Sequence, residues 1–394
     1  MALSDAVSTS SIYLDHNATT PIAPEVLDAM QPYLTRSFGN PSSDHSLGHE
    51  ARRAVDLARV QVATLIGASP DEIIFTSGGT ESNHLAIRGA AQASAGRRRV
   101  VTTSVEHPAT VGACALLAAQ GWSITRLPVS RDGVVDATTA AEMIGDDVAL
   151  VTVMLAQNET GAIMPVGKIA AVARSHGAVT HSDAAQAVGK IDVNVGDLGV
   201  DLLSIAGHKF YAPKGVGALY VRSGTRIEPL VLGGGQEGGL RPGTENVAGI
   251  VGLGAAAVLA TSRTAADQTA IDALRGQLWS GLADKIPGLV RHTPAKSCLP
   301  NTLLLSFPDV LGRDVLARAD SVLASTGSAC HSGTDTPAET LLAMGVSPEI
   351  ALGAVRISLG HGNTLAQVER AVDILVTAFN VVQQDRKRGS HSSW

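Results

Sequence analysis

Lys209 is the residue whose position most directly indicates covalent chemistry. It follows His208 in "SIAGHKF", at the end of an apolar stretch, and the turn-rich "YAPKGVG" comes soon after it. An arbitrary lysine is usually a solvated surface residue, but this pattern predicts burial at the ligand-binding edge of a sheet. Burial lowers the pKa of an amine and leaves it able to form a Schiff base with a carbonyl compound.

Asp183 and Gln186 stand three residues apart in "HSDAAQAVGK". We expect a strand followed by a short helix here, and residues at this spacing share one helix face. Asp183 is therefore either the N-cap of that helix or a carboxylate that pairs with a protonated ring nitrogen. Pyridoxal phosphate needs such a carboxylate for its ring to take up electrons.

Three further segments place polar groups where strands are expected to end. "TSGGTES" puts Gly79 and Thr80 between a strand and a helix, where backbone N–H groups attract phosphate. "SVEHPAT" places His107 at a strand end, although a lone histidine is more often structural than catalytic. "AQNETG" offers Asn158 as another polar contact.

Arg356 and Cys330 each lie in a segment that is unusual for their residue type. Arg356 lies inside the apolar "AVRISLG", where an unpaired charge is costly, so we expect it to meet a carboxylate; a structural salt bridge is the alternative to a functional one. Cys330 lies in "STGSACHSG", which has neither strand alternation nor helical apolar spacing. We expect residues 325–337 to be mobile, with Gly327 and Gly333 giving the backbone freedom near the thiol.

Composition argues against several other classes of protein. The chain of 394 residues has a net charge of -6, so direct nucleic-acid binding is not expected. Gly233, Gly235 and Gly238 match G-x-G-x-x-G, but "LRPGTEN" follows instead of a helix, and we reject a nicotinamide site. The three cysteines form no metal-type pair, so no metal site is expected. We find no signal peptide or membrane span and expect a cytoplasmic protein with reduced thiols.

The elements that must position these residues alternate between strand and helix up to about residue 260. Buried strands with helical crossovers predict a mainly parallel sheet, whose carboxyl ends bind ligands. We therefore predict an α/β fold with a large domain, residues 17–261. A smaller α+β domain, residues 1–16 and 262–394, would carry Cys330. We expect the tail from Gln383 onward to be disordered.

An ordered set of motifs resembles the pyridoxal-phosphate-dependent cysteine desulfurases of the NifS and IscS type, from about residue 12 to 365. The motifs are "YLDHNATTP", "GNPSS", "IIFTSGGTESN", "EHPA", "NETG", "SDAAQAVGK", "GHKFYAPKGVGALY", "GGGQE", "RPGTEN", "GSAC" and "RISLG". The resemblance implies fold type I of the class V aminotransferases. It also implies a seven-stranded, mainly parallel sheet in the large domain, and a homodimer.

The resemblance also implies a role for each candidate residue. Lys209 would hold the cofactor, and His107 would stack on the pyridine ring and move protons. Asp183 would pair with the ring nitrogen, and Gln186 with the phenolic oxygen. The phosphate would be bound by Gly79, Thr80, His208 and, from the partner subunit, Thr244. Asn158 and Arg356 would bind the substrate carboxylate, and Asn158 would also contact the cofactor. Cys330 would accept the sulfur. Ala206 stands in a cofactor-binding motif where the family usually has serine, so one hydroxyl to the phosphate is missing.

The implied reaction converts L-cysteine to L-alanine, with the sulfur held on Cys330 as a persulfide for an acceptor protein. That acceptor is an iron–sulfur scaffold, a tRNA-thiolation protein or a DNA-phosphorothioation protein. A selenocysteine lyase, which shares the cofactor and most motifs, is the alternative. A free thiol has a pKa of roughly 8.5, so a neighbouring group must help to deprotonate Cys330, and the sequence leaves both His107 and His331 open.

Overall fold

The computed structural model describes four stretches of the chain, residues 11–94, 96–263, 265–326 and 336–391. Short 3₁₀ turns occur at Pro70–Glu72, Gly207–Lys209 and Gln236–Gly239. The strands are β1 Ile12–Tyr13, β2 Ile73–Thr76, β3 Arg99–Thr103, β4 Ser123–Leu127, β5 Val148–Thr152, β6 Val179–Asp183, β7 Leu202–Ala206, β8 Gly217–Val221, β9 Val290–Arg291, β10 Thr302–Ser306, β11 Val322–Leu323 and β12 Ala354–Ser358. The helices are α1 Pro24–Thr35, α2 Ser46–Ile66, α3 Gly79–Ala93, α4 Pro108–Ala119, α5 Ala137–Met143, α6 Val166–Ser175, α7 Val195–Leu198, α8 Val247–Ser262, α9 Ala265–Lys285, α10 Gly312–Arg318, α11 Glu339–Ala343, α12 Pro348–Leu352 and α13 Leu365–His391.

The main sheet has seven strands in the order β2-β8-β7-β6-β5-β3-β4. The five strands from β7 to β4 run parallel, whereas β8 is antiparallel to both of its neighbours. The predicted α/β fold with a mainly parallel seven-stranded sheet is therefore confirmed.

Both faces of this sheet are covered, which explains why the central strands β5 and β7 are buried along their whole length. Leu150 and Leu202 pack with α3 and α4 on one face. Their neighbours Val151 and Leu203 pack on the other face with α2, α6 and α8. Successive side chains of a strand point to opposite faces, so each strand contributes to two cores.

A second apolar cluster lies around the antiparallel sheet β12-β10-β9. Leu305 and Ile357 from this sheet pack against Leu282 of α9 and Leu375 of α13. The N-terminal strand belongs here as well, because β1 pairs in parallel with β11 and Ile12 is buried in this cluster. The domain limits given above stay a prediction.

Two local expectations are wrong. The helix expected directly after β6 does not form over residues 184–189: the N–H groups of Ala187 and Val188 both donate to the Ala184 carbonyl in a turn. The chain then passes Gly189 at a φ of +78°, which ends any helical path. The tail is helical through His391, since α13 continues to that residue, and Asp385 accepts a 3.0 Å bond from Arg318.

Within the described residues, no single helix combines the length and the apolar character needed to cross a membrane. The bent pair Val247–Ser262 and Ala266–Lys285 meets that test only when the two helices are taken together.

Candidate active site

Four candidate residues gather at one edge of the main sheet. His107 follows β3, Asn158 follows β5, Asp183 ends β6 and Lys209 follows β7. These strands lie side by side and run parallel, and the carboxyl ends of parallel strands meet at the same edge. His107 consequently lies within electrostatic range of both Asp183 and Lys209.

Lys209 is half-buried, and its amine points at the N-terminal segment of the chain. Its Nζ donates to the carbonyl oxygens of Asn17 at 2.7 Å and Ala18 at 2.9 Å. Burial lowers the pKa of Lys209 to about 8, and the positive charge of Arg356 adds to the effect. The amine is therefore able to act as a nucleophile and base near neutral pH.

The Asp183 carboxylate is held by two donors at the end of β6. Its Oδ2 accepts a 2.6 Å bond from Asn83 Nδ2, and its Oδ1 accepts a 2.9 Å bond from the backbone N–H of Ala185. The side chain is only 5% exposed. Asn83, on α3, was not among the predicted residues, and its Oδ1 is buried without a hydrogen-bond partner among the described residues.

His107 caps α4 and has a defined ring orientation. Its Nδ1 accepts a 3.1 Å bond from the backbone N–H of Ala109, so the neutral ring carries its proton on Nε2. Burial is the main cause that lowers the pKa of His107, with Lys209 acting in the same direction and Asp183 against it. The imidazole is thus neutral near pH 7, with a donor left for a bound group.

Glu106, next to His107 in sequence, is a second buried acid that sequence reasoning passed over. Its Oε1 accepts bonds from Thr103 Oγ1 at 2.8 Å and from the backbone N–H of Met154 at 2.9 Å. Burial raises the pKa of Glu106 to about 8. The acid is therefore protonated at neutral pH, which avoids a second negative charge near Asp183.

Asn17 joins the candidate residues into one hydrogen-bonded network. Its carbonyl oxygen accepts from Lys209 and, at 3.0 Å, from Gln186 Nε2. Its side-chain Oδ1 accepts a 2.8 Å bond from Lys190 Nζ, which also donates to Gln186 Oε1 at 2.5 Å. The Asn17 Nδ2 donates to the Asn158 carbonyl at 3.2 Å.

Neither Asn17 nor Lys190 was assigned a role from sequence. Asn17 lies in "YLDHNATTP" and Lys190 ends "SDAAQAVGK", two segments that were used only as motifs. The spacing of Lys190, four residues after Gln186, could have indicated their contact, because side chains four residues apart can meet across one turn.

Arg356 meets a carboxylate, as expected from its apolar strand. Its Nη2 lies 2.8 Å from Asp15 Oδ1, and its Nη1 donates to the Asn158 carbonyl at 3.1 Å. The second oxygen of Asp15 accepts a 2.7 Å bond from Ser325. The Nε of Arg356 is buried and has no partner among the described residues, so the guanidinium keeps a donor for a further anion.

The candidate phosphate-binding segment lies at the start of α3. Gly78 has a φ of +143°, which L side chains rarely adopt, and the helix begins with Gly79 and Thr80. A side chain on Gly79 would come within 3.3 Å of the Ala206 methyl group, so the two segments pack closely. His208 contacts Thr19 Oγ1 through its Nδ1 at 3.1 Å. Exposed N–H groups at such a helix start suit a phosphate.

Three predicted residues have no described contact with this cluster. Thr244 is exposed, in the segment before α8. Cys330 and His331 lie outside the described residues, as does most of the segment expected to be mobile. Ser325, the first residue of that segment, pairs with Arg356 through two backbone hydrogen bonds of 2.7 and 3.3 Å.

Comparison with known proteins decides the family. The chain matches the class-V aminotransferase family over residues 12–371. It is 45% identical to the cysteine desulfurase IscS of Dictyoglomus turgidum, over 92% of this chain and 93% of that protein. The chain belongs to the cysteine desulfurases of the class-V aminotransferase family. Pyridoxal phosphate is therefore its cofactor, as the motifs predicted, and the selenocysteine lyase alternative is not favoured.

Solved structures confirm fold type I for this desulfurase. A NifS-like protein of 36% identity superposes with a TM-score of 0.89, covering 94% of this chain and 100% of that one. SspA in complex with cysteine is 35% identical and gives a TM-score of 0.79, covering 88% of this chain and 98% of that one.

The residues of the desulfurase site fit pyridoxal phosphate. Asp183 offers a carboxylate for a ring nitrogen, Lys209 a half-buried amine for the aldehyde, and the start of α3 its N–H groups for the phosphate. The Asn83 side chain bonds Asp183, and its buried Oδ1 has no hydrogen-bond partner among the described residues. A buried acceptor of this kind usually has a partner, which a bound group could supply.

Proposed function

We propose that this desulfurase places the sulfur of L-cysteine on Cys330 and releases L-alanine. In this reaction the substrate C–S bond breaks and an S–S bond forms, so L-cysteine and the Cys330 thiol become L-alanine and a Cys330 persulfide. The observation that carries the proposal is the half-buried Lys209 amine, with a pKa lowered to about 8, at the same sheet edge as Asp183.

The site residues divide the work of holding the cofactor. We propose that Asp183 binds the ring nitrogen and Gln186 the phenolic oxygen. His107 would lie against the ring face of the cofactor. The phosphate is held by Gly79, Thr80, His208 and Thr244, with Ala206 contributing packing instead of a hydroxyl.

Proton movement follows from the pKa values of the residues. Pyridoxal phosphate supplies an electron sink that acidifies the Cα–H of the substrate. Lys209, with a pKa of about 8, is a suitable base and acid for that proton near neutral pH. His107 accepts from Ala109 through Nδ1, so its Nε2–H would be free to donate to a group bound beside the cofactor. Arg356, with Nε open, holds the substrate carboxylate together with Asn158.

Mass spectrometry of the intact chain after addition of L-cysteine tests this function. The wild-type holoenzyme is expected to gain one sulfur atom on Cys330 while L-alanine appears. Lys209→Ala and Cys330→Ser are expected to lose the modification, whereas the control Cys298→Ser retains it. Full alanine production by the Cys330→Ser variant would refute the role of Cys330.

We propose the sulfur acceptor only as a class of protein. L-cysteine is the substrate, and a sulfur-acceptor protein removes the persulfide in the cytoplasm. The candidates are an iron–sulfur scaffold, a tRNA-thiolation protein and a DNA-phosphorothioation protein. Mixing the persulfide form with a purified member of each class, and measuring which one takes the labelled sulfur, selects among them.

We also propose that the active enzyme is a homodimer. Thr244 is exposed, and the nearby Val231 and Leu232 are 66% and 87% exposed. Exposed aliphatic side chains next to a predicted cofactor contact fit a surface that a second subunit covers.

A further inference from the structure

A cavity of about 390 Å³ lies beside Lys209, between the two apolar clusters. Its walls come from the segment after β6, the junction of α8 and α9, and the segment after β12. Among the described residues, Lys209 is the single one that it shares with the proposed cofactor and substrate site. The cavity therefore adjoins the proposed cofactor and substrate site at Lys209, while most of its wall lies outside that site. Its volume is in the range of small-molecule sites.

Positive side chains dominate the wall of this cavity. Lys190, Lys209 and Arg263 line it, together with the histidines His16 and His361. Asp192 is the one carboxylate among the described lining residues. Asp267 and Glu25 lie close enough to Arg263 to offset part of its charge, and Asp183 and Asp15 act in the same way on Lys209. Lys190 has no carboxylate among the charges that act on its pKa.

Lys190 has a donor to spare. Two of its three N–H groups donate to the neutral amide oxygens of Asn17 and Gln186. The charges that act on its pKa are those of Lys209 and Arg356, both positive, and with burial they lower that pKa well below its usual value. A buried ammonium without a carboxylate is costly, and a bound anion would remove that cost.

Arg263 offers a second open donor from another part of the fold. Its guanidinium lies 4.5 Å above the ring of Tyr211, which also lines the cavity. Its Nη1 is buried and has no hydrogen-bond partner among the described residues. A guanidinium with an open N–H group is well suited to carboxylate and phosphate oxygens.

We propose that this cavity binds a small organic anion, whose carboxylate or phosphate group accepts from the open Arg263 donor, with Lys190 adding positive charge to the same cavity wall. The proposal does not depend on Cys330 or on the persulfide. The cavity is linked to the proposed cofactor-binding residues by a hydrogen bond, in which Lys190 donates to Gln186 Oε1 at 2.5 Å. The anion therefore compensates the charge of a residue that positions the Gln186 amide.

Calorimetric titration of the holoenzyme with inorganic phosphate, malonate and the uncharged malonamide tests the proposal. In the holoenzyme the cofactor's own phosphate would occupy the start of α3, which leaves the cavity and the proposed substrate-carboxylate site at Arg356 for an added anion. Saturable binding of phosphate or malonate, but not of malonamide, is expected; the tighter of the two anions identifies the preferred group. Binding of neither anion, or equal binding of malonamide, overturns the proposal.

Variants locate the bound anion. Arg263→Gln is expected to weaken binding roughly tenfold or more, as for a lost charged hydrogen bond, while the exposed control Lys168→Gln leaves it unchanged. Lys190→Met should weaken binding similarly, but it also removes a contact to Gln186. Loss of binding in Arg356→Lys, with Arg263→Gln unaffected, would assign the anion to the substrate site and overturn the proposal. Alanine production in the same samples reports separately on the proposed function.

Discussion

At the scale of single residues, the reactivity of Lys209 depends on the removal of water from its surroundings. Burial, more than any single neighbour, lowers its pKa, and the two carbonyl acceptors from Asn17 and Ala18 hold the amine in place. A lysine at the protein surface would remain charged until far higher pH. The sheet edge thus converts a common side chain into a base that works near neutral pH.

The pH dependence of cofactor capture by the apoenzyme follows from this. Only the neutral amine attacks an aldehyde, and the pKa of Lys209 is lowered from 10.5 to about 8. The rate of pyridoxal phosphate uptake should therefore rise with pH and level off above about pH 8. Visible absorbance in stopped-flow mixing measures this rate. A rate that still rises tenfold per pH unit beyond pH 9 would show an unshifted lysine, and Lys209→Ala provides the baseline.

At the scale of elements, the site depends on turns that bring strand ends within contact of each other. The turn between β2 and α3 is closely packed against β8: a side chain at Gly217 would lie 2.4 Å from the Ile205 carbonyl oxygen and 2.7 Å from Gly78 Cα. Backbone atoms cannot move aside as the end of a flexible side chain can. The absence of a side chain at Gly217 therefore sets the position of the proposed phosphate-binding turn.

Gly217→Ala is expected to destabilise the protein by about 2 kcal/mol, as overpacking of a core does, and to weaken cofactor binding. Denaturant unfolding of the apoenzyme and a pyridoxal phosphate titration measure the two effects. Gly112→Ala is the matched control, because Gly112 is exposed on α4 with open space around it. That variant should gain roughly 0.5–1 kcal/mol from helix propensity. Equal effects at the two positions would contradict the packing argument.

At the scale of the whole molecule, the site lies where the two apolar clusters meet. Asn17 follows β1, which packs with the C-terminal cluster, yet its carbonyl receives the Lys209 amine from the main sheet. Arg356 and Asp15 join residues 341 positions apart in the chain. Motion of one cluster against the other would therefore disturb the site directly.

Hybrid dimers test the proposal that Thr244 acts across a subunit interface. In a hybrid of Lys209→Ala and Thr244→Ala subunits, one site would contain Lys209 with the partner's intact Thr244, and the other site would carry both defects. Mixing the two variants should restore activity above that of either homodimer. Restoration to no more than the average of the two would mean that Thr244 serves its own subunit or none. A mixture of wild type and Lys209→Ala gives the reference for one active site per dimer.

The sequence by itself determined the strand–turn–helix units and the polar residues that end their strands. Buried strands and glycine turns are local patterns, so they suffice to assign Lys209, Asp183 and His107 to one sheet edge. Local pattern failed after β6, where a turn replaces the expected helix because Gly189 takes a positive φ.

Only the tertiary structure decided which distant groups complete the site. The contacts of Asn17 with Lys209 and Lys190 join residues 192 and 173 positions apart, and the contact of Asp15 with Arg356 joins residues 341 positions apart. The hydrophobic periodicity of the sequence does not predict such pairs, because each depends on how the N-terminal strand packs against the C-terminal cluster. The lowered pKa of Lys209 belongs to the same class, since burial is a property of the assembled fold and not of the residue.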